Sequence, residues 1–384
     1  MRRILLLTQA LLIAGMCYAR ADNTRLHAGD IVEHCGITGG LVVCIGDEDP
    51  EFLVSLGAND GYMVQGLIAN PSSAEDHNAT LGKLAKAREY IQSKGLCGKV
   101  SIDAWDGVRL PYVDNLVNLL VVGRRLLVDS TEIERVLSPG GVALVRNGKL
   151  DTGSSTLEMR SSSRDLSIYS KPIPSALDEW THYLRDPDNN AVSKDTAITA
   201  PIKHLQWVGS PKYARHHDKS SSIPAAVTTG GRVFYIVDEG PRASILWDAD
   251  WKVVARDAFN GVILWKKQIS QWTDHLWPLK SGPSKTPRRL VAVNDAVYVT
   301  LSLLGPVSKL DAATGKELKV YSGTENTEEI ILKDGVLYLV IHPSIDPAKR
   351  GGIWEKTPKT VMAVRESDGT ILWKHELSWI APIT

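Results

Sequence analysis

His216, His217 and Asp218 stand side by side, three side chains of the types that ligate metal ions. Adjacent residues on a strand point to opposite faces, so neighbouring histidines rarely reach one ion. A solvated loop is expected there, and no metal site is assigned in the chain. A denser polar group lies at Asp178, His182, Asp186 and Asp188, with Trp180 and Tyr183 alongside. It could hold a ligand or a cation, or it could cap the chain as it passes into a new architecture. Asp257 and Asp311 each sit just before a turn, where a carboxylate more often stabilises the turn than catalyses. Four cysteines are present, at 17, 35, 44 and 97. One pair could bridge, but small buried apolar side chains are the simpler reading. The sequence holds no glycine-rich phosphate loop, nucleophile elbow or zinc-type Cys/His spacing. No catalytic residue is assigned.

The elements that position these groups fall into two regimes. From about 24 to 148, short apolar runs (Leu41–Ile45, Tyr62–Ile68, Lys99–Ile102, Leu116–Val122, Val142–Val145) alternate with helix-like spacing over Leu84–Lys94 and Ser130–Leu137. Such alternation predicts βαβ units around a parallel sheet. Residues 149–175 are rich in Ser, Lys and Asp and read as a linker. From about 200 the pattern becomes short, turn-punctuated strands. Ten of the 11 tryptophans lie from Trp180 onward.

A repeat runs through that second half. Val254–Trp265, Ser308–Leu318 and Met362–Trp373 align, with turn glycines Gly261, Gly315 and Gly369 spaced 54 residues apart. Asn260-Gly261, Thr314-Gly315 and Asp368-Gly369 are expected to supply the positive φ angles of tight hairpins. Trp265 and Trp373, each four residues past its glycine, can pack between neighbouring units, because one small sheet cannot bury its own face. Another strand precedes each hairpin, at Arg232–Val237, Ala296–Leu301 and Gly335–Ile341.

A chain of 384 residues with 43% hydrophobic residues can bury two cores. Its formal charge of zero provides no nucleic-acid footprint. Arg2 and Arg3, the apolar run Ile4–Cys17 and Ala19-Arg20-Ala21 read as a secretory signal over 1–21. The run is short for a membrane span and no second one follows, so an exported protein is expected, in the periplasm or outside the cell.

The strand followed by "D-A-x-x-G-x-x-L-W" resembles the pyrroloquinoline-quinone (PQQ) repeat of quinoprotein alcohol dehydrogenases. The third unit departs from it, with Arg365-Glu366 in place of Asp-Ala. The resemblance implies an all-β propeller over 176–384, here about three blades and incomplete, with further blades expected in cis or in trans. Those dehydrogenases hold the quinone against a disulfide of adjacent cysteines. Beyond Cys97 this chain has none.

The first half resembles the class I S-adenosylmethionine methyltransferases. Thr131–Val142 is similar to their "E-x-x-R-V-L-x-P-G-G" segment, and Asp106–Asn115 to their "D-(x)n-L-P-(F/Y)-x-D". A Rossmann-like α/β domain over 22–148 is implied. Where the family carries G-x-G-x-G, this chain reads Gly46-Asp47-Glu48-Asp49-Pro50, so a carboxylate and a proline replace two glycines. The family's ribose-binding acid falls on or near Ile68, with Asn70 the closest polar residue, and Asp106 fits the adenine position. The cofactor site implied is thus reduced to Gly46, Asp47, Asn70 and Asp106. The segment Asp178–Pro187 looks like a recurring "D-E-W-T-H" lead-in to such propellers.

The reading is an exported two-domain binding or scaffold module with a non-catalytic methyltransferase-like domain. No resident cofactor is expected, and its partner is an unidentified ligand or protein of the propeller. The alternatives are a working methyltransferase using S-adenosylmethionine, or a PQQ-dependent oxidoreductase when the propeller is complete.

Overall fold

The computed structural model describes residues 28–46, 49–69, 74–123, 128–198, 201, 205–210, 223, 225–241, 243, 247–270, 286–342 and 358–378. The signal segment, Asp47, Asn70 and His216-His217-Asp218 lie outside the described residues.

The first unit is a seven-stranded sheet of β1 (Gly40–Ile45), β2 (Tyr62–Ala69), β3 (Val100–Trp105), β4 (Val117–Val122), β5 (Leu137–Arg146), β6 (Glu158–Ser162) and β7 (Leu166–Ser170). The order is β3-β2-β1-β4-β5-β7-β6. Strands β1 to β5 are parallel, and β7 runs antiparallel to both β5 and β6. Helices α1 (Ala28–Cys35), α2 (Pro50–Leu56) and α3 (Ala74–Ser93) pack Ile31, Leu53 and Leu84 on one face. Helix α4 (Ser130–Val136) packs Ile133 on the other. Every residue of β1 and β4 is buried, which is why both read as apolar runs, broken in β4 only by Asn118. The architecture is the Rossmann-like, methyltransferase-like α/β fold.

The sheet does not stop at 148. The segment expected to be a linker contains β6 and β7, and β7 pairs Val142 with Ser170 through Arg146 with Leu166. All five residues of β6 are exposed, so no apolar alternation marks it in the sequence. Lys171 then ties the edge down, its Nζ donating to Asn115 Oδ1 at 2.7 Å and to the carbonyls of Glu134 and Leu137 at 2.7 and 2.9 Å.

The second unit consists of three four-stranded antiparallel sheets, consistent with propeller blades. Blade 1 is β8 (Ala225–Thr229), β9 (Arg232–Asp238), β10 (Trp251–Asp257) and β11 (Ile263–Gln268). Blade 2 is β12 (Leu290–Val293), β13 (Ala296–Thr300), β14 (Val307–Asp311) and β15 (Glu317–Tyr321). Blade 3 is β16 (Thr327–Lys333), β17 (Val336–Ile341), β18 (Lys359–Arg365) and β19 (Ile371–Leu377). One apolar cluster joins blades 1 and 2, and a second joins blades 2 and 3.

The repeat explains that stacking. Gly261, Gly315 and Gly369 have φ of +73°, +69° and +84°, whereas Asn260, Thr314 and Asp368 are not left-handed. The hairpins are therefore four-residue loops rather than two-residue turns. The glycine N–H closes each loop on the carbonyl of Asp257, Asp311 or Arg365 at 2.8–3.0 Å. Asp257 and Asp311 stabilise their turns as expected, Oδ1 accepting from the N–H groups of the second and third residues of each loop.

Each loop is also a docking point. Trp265 Nε1 donates to Ala312 O at 3.0 Å in the next blade. Its indole lies across Gly315, where an added Cβ would fall 2.6 Å from Cδ2. Trp207 does the same at Gly261, donating to Ala258 O at 2.8 Å. Lys319 replaces the missing tryptophan of blade 2, its Nζ donating to Ser367 O at 2.9 Å. The departure Arg365-Glu366 also has a role. Glu366 Oε1 accepts from Tyr298 at 2.9 Å and from Lys309 at 2.6 Å, stapling blade 3 to blade 2.

Candidate functional site

Two edges of the parallel sheet are candidates, and they differ in what already occupies them. At the C-terminal edge, β1 runs into Gly46, with φ +70°. Asp49 then caps α2, accepting from Glu51 N at 3.0 Å, with Pro50 in the first turn. The helix end that a ligand carboxylate would approach already holds one. Gly123, directly after β4, donates to Ile45 O at 2.8 Å, and a Cβ there would lie 2.6 Å from Gly46 O. Asp106 Oδ1 accepts from Val108 N and Arg109 N at 2.9 and 3.1 Å, so the turn itself uses this carboxylate. Ile68 is buried in the core and supplies no polar group. Of the four expected positions, Gly46 and Asp106 are described, and Asp47 and Asn70 lie outside the described residues.

The two stretches that carry the methyltransferase resemblance hold each other. Arg135 donates to Tyr112 O at 2.7 Å and Leu110 O at 3.0 Å, while Glu132 Oε1 accepts from Leu110 N at 2.7 Å. Near them is a polar chain that the sequence did not single out. Tyr112 Oη donates to Gln65 Oε1 at 2.8 Å, and Gln65 Nε2 to Asp103 Oδ2 at 3.2 Å. Burial and the neighbouring Cys44 and Asp103 push the Tyr112 hydroxyl well above its ordinary range. Gln65 within an apolar strand was the available signal.

At the N-terminal edge the sheet meets blade 1 through Asn118. Its Oδ1 accepts from Leu41 N at 2.8 Å and Asn260 Nδ2 at 2.6 Å, and its Nδ2 donates to Asp257 Oδ2 at 2.7 Å. Asn260 Nδ2 also reaches Leu116 O at 2.9 Å. Burial raises the Asp257 carboxyl, against the lowering effect of Asn118, the Phe259 and Asn260 backbone N–H groups and the nearby Arg232 guanidinium. Glycines permit the close approach: a Cβ at Gly39 would lie 2.6 Å from Leu264 Cδ2, and one at Gly40 only 2.0 Å from Asn118 Oδ1. Beside this contact is a cavity of about 620 Å³, lined by Ser138, Leu177, Glu179, Arg232, Asp257 and Phe259 among others.

The polar lead-in is built as a cap. Asp178 Oδ2 accepts from Arg185 Nε at 2.8 Å and Lys194 N at 2.7 Å, which holds its carboxyl well below the ordinary range. Arg185, with φ +82°, also pairs with Asp186. Asp186 and Asp188 accept from Asp188 N and Asn190 N at 3.0 and 2.9 Å. Three consecutive residues then engage three blades. Trp180 O accepts from Thr228 N of β8 at 2.7 Å, and Thr181 O from Ala292 N of β12 at 2.9 Å. His182 Nε2 accepts from Leu332 N of β16 at 3.1 Å. Burial lowers the His182 imidazole to about 4, so at neutral pH it is an acceptor.

Among the described residues, no group of three or more His, Cys, Asp or Glu side chains gathers as a metal site. Cys35, Cys44 and Cys97 are free thiols, the first two buried. Burial pushes the Cys35 thiol up to about 11. No helix among the described residues is long and apolar enough to cross a membrane.

No protein-family model matches this chain, and no curated protein matches it. Among solved structures, it is similar to a Methanococcus maripaludis protein assigned as an S-adenosyl-L-methionine-dependent methyltransferase. That match has 18% identity over 38% of this chain and 84% of the other, with a TM-score of 0.30. A SAM-dependent methyltransferase from Aquifex aeolicus matches at 12% identity over 37% of this chain and 87% of that one, with a TM-score of 0.26. A europium-containing methanol dehydrogenase matches at 13% identity over 52% of this chain and 32% of its own length, with a TM-score of 0.30. Likenesses this remote carry no functional weight here.

Proposed function

We propose that this chain is an exported binding or scaffold protein whose methyltransferase-like domain is a non-catalytic platform for a propeller of PQQ-repeat type. The observation that carries the reading is the turn after β1. Asp49 caps the first turn of α2 with its own carboxylate and Pro50 follows it, where a methyltransferase needs open backbone for the methionine end of its cofactor. The Asp106 carboxylate, engaged by Val108 and Arg109, supports the same reading. So does the signal-like segment 1–21, because S-adenosylmethionine is kept in the cytoplasm.

The quinone-dependent alternative lacks one part of its chemistry, since no adjacent cysteine pair follows Cys97. Calorimetric titration of S-adenosylmethionine into the full chain tests the proposal. No measurable heat at micromolar concentrations is expected. Saturable micromolar binding would overturn the proposal in favour of a working methyltransferase.

A further inference from the structure

We propose that the cavity between the N-terminal edge of the parallel sheet and blade 1 binds a small monocarboxylate with an apolar body, seated on Arg232. The inference goes beyond the proposed function and uses none of the C-terminal edge on which that reading rests.

Arg232 is the one charged group facing this cavity, among the described residues, whose polar atoms lack a good partner. Asp178 is fixed by Arg185. Glu179 accepts from Thr229 Oγ1 at 2.9 Å and Gly230 N at 2.7 Å. Asp257 is held by Asn118 and two backbone N–H groups. The Arg232 guanidinium lies near enough to Asp257 to lower its carboxyl, but its hydrogen bonds go only to Gly230 O and Thr38 Oγ1, both at 3.4 Å. Those contacts are at the outer limit of hydrogen bonding, and both acceptors are neutral. A half-buried guanidinium is a planar fork of donors that fits a carboxylate in two parallel bonds. A second polar group on the same wall is also unmatched. Ser138 is 1% exposed, and its hydroxyl has no hydrogen-bond partner.

The surroundings narrow the ligand. Asp178, Glu179 and Asp257 line the cavity with Arg232, so a dianion such as phosphate meets three carboxylates for one cation. Asp178 is already paired with Arg185, so each negative charge on a ligand is set mainly against Glu179 and Asp257. A dianion is therefore disfavoured more than a monocarboxylate that Arg232 pairs directly. Beside hydroxyl groups such as those of Ser138 and Thr228, the wall carries Ile37, Ile173, Leu177, Phe259 and Leu264, which suits a non-polar body behind the carboxylate. A volume of about 620 Å³ suits a small molecule of that kind.

The test follows phenylacetate binding to the full chain by saturation-transfer NMR, with benzylamine and inorganic phosphate as counter-probes. Phenylacetate is expected to bind saturably, and the other two are not. Arg232→Gln should weaken binding at least about tenfold, the loss of one charge-assisted pair, and Arg232→Lys should fall between. Leu177→Trp fills the cavity while leaving Arg232 in place and should abolish binding. Ile173→Trp replaces it if that variant loses its cooperative melt. No phenylacetate binding up to about 10 mM would overturn the proposal. So would phosphate binding of equal strength, or affinity unchanged in both the Arg232 and the filling variants. The S-adenosylmethionine titration is read at the other edge of the sheet, so either proposal can fail alone.

Discussion

Asn118 Nδ2 lies 2.7 Å from Asp257 Oδ2, and this bond joins the central region of the parallel sheet to the first propeller turn. Asn118 sits at the start of β4, and Asp257 ends β10, 139 residues later. The same carboxylate that holds its own loop through Oδ1 therefore also anchors the other unit through Oδ2.

Replacing Asn118 should uncouple the two units. Asn118→Ala removes the acceptor for Leu41 N and the donor to Asp257, leaving buried polar groups unmatched at a cost of roughly 2–4 kcal/mol. Asn118→Asp places a second carboxylate against Asp257, so its defect should shrink as pH falls and one of the two is protonated. Urea unfolding at neutral and mildly acidic pH, compared with wild type, reads both effects.

His182 makes stability depend on pH with a definite sign. Its imidazole is lowered from 6.5 to about 4 in the fold, so unfolding takes up a proton between those values. The contribution is complete above about 6.5 and is lost as pH falls toward 4, by roughly 3 kcal/mol. His182→Gln keeps an acceptor for Leu332 N and removes the titration. The difference between wild type and variant should narrow from pH 7 to pH 4.5 in chemical denaturation. A constant difference would show that His182 does not titrate with unfolding.

Glycines with the same φ should differ in tolerance. Gly335 has φ +74° and open space around its Cβ position, so Gly335→Ala should cost only the left-handed strain, about 1 kcal/mol. At Gly315, φ +69°, the methyl group would also displace the Trp265 indole. Gly315→Ala should therefore cost about 2–4 kcal/mol, read as the larger fall in Tm.

The docking tryptophans should be unequal in this chain. Trp265 bonds to Ala312 O and packs against Phe234, with centroids 5.9 Å apart, so Trp265→Ala should cost about 3 kcal/mol. Trp373 is 40% exposed and touches only Tyr338 and His375 through its ring, among the described aromatic contacts. Trp373→Ala should stay within about 1 kcal/mol by thermal melting.

Legibility followed the kind of signal each element carries. Buried parallel strands such as Leu41–Ile45 and Val142–Val145 announce themselves as apolar runs, and the glycines at 261, 315 and 369 mark a repeat by their spacing. Strand β6 has no buried face and left no trace in the periodicity. Trp207 escaped notice as a docking residue because the loop it covers, closed by Gly261, lies 54 residues further on. Arg365-Glu366 read as a broken motif, while in space Glu366 bonds blade 2 through Tyr298 and Lys309.

The sequence by itself determined the two architectures, because periodicity and turn chemistry act within a few residues of each other. It also determined that Asp257 and Asp311 serve their turns, a contact two to three residues long. Only the tertiary structure decided which groups distant in the chain meet. Asn118 with Asp257, His182 with Leu332, and Arg232 facing a cavity beside Ser138 are all brought together over long separations. The meeting at the sheet edge depends on how blade 1 seats on Gly39 and Gly61, where a Cβ would fall 2.6 Å from Leu264 Cδ2 and 3.3 Å from Leu264 O, respectively. No local pattern encodes the partner that arrives there.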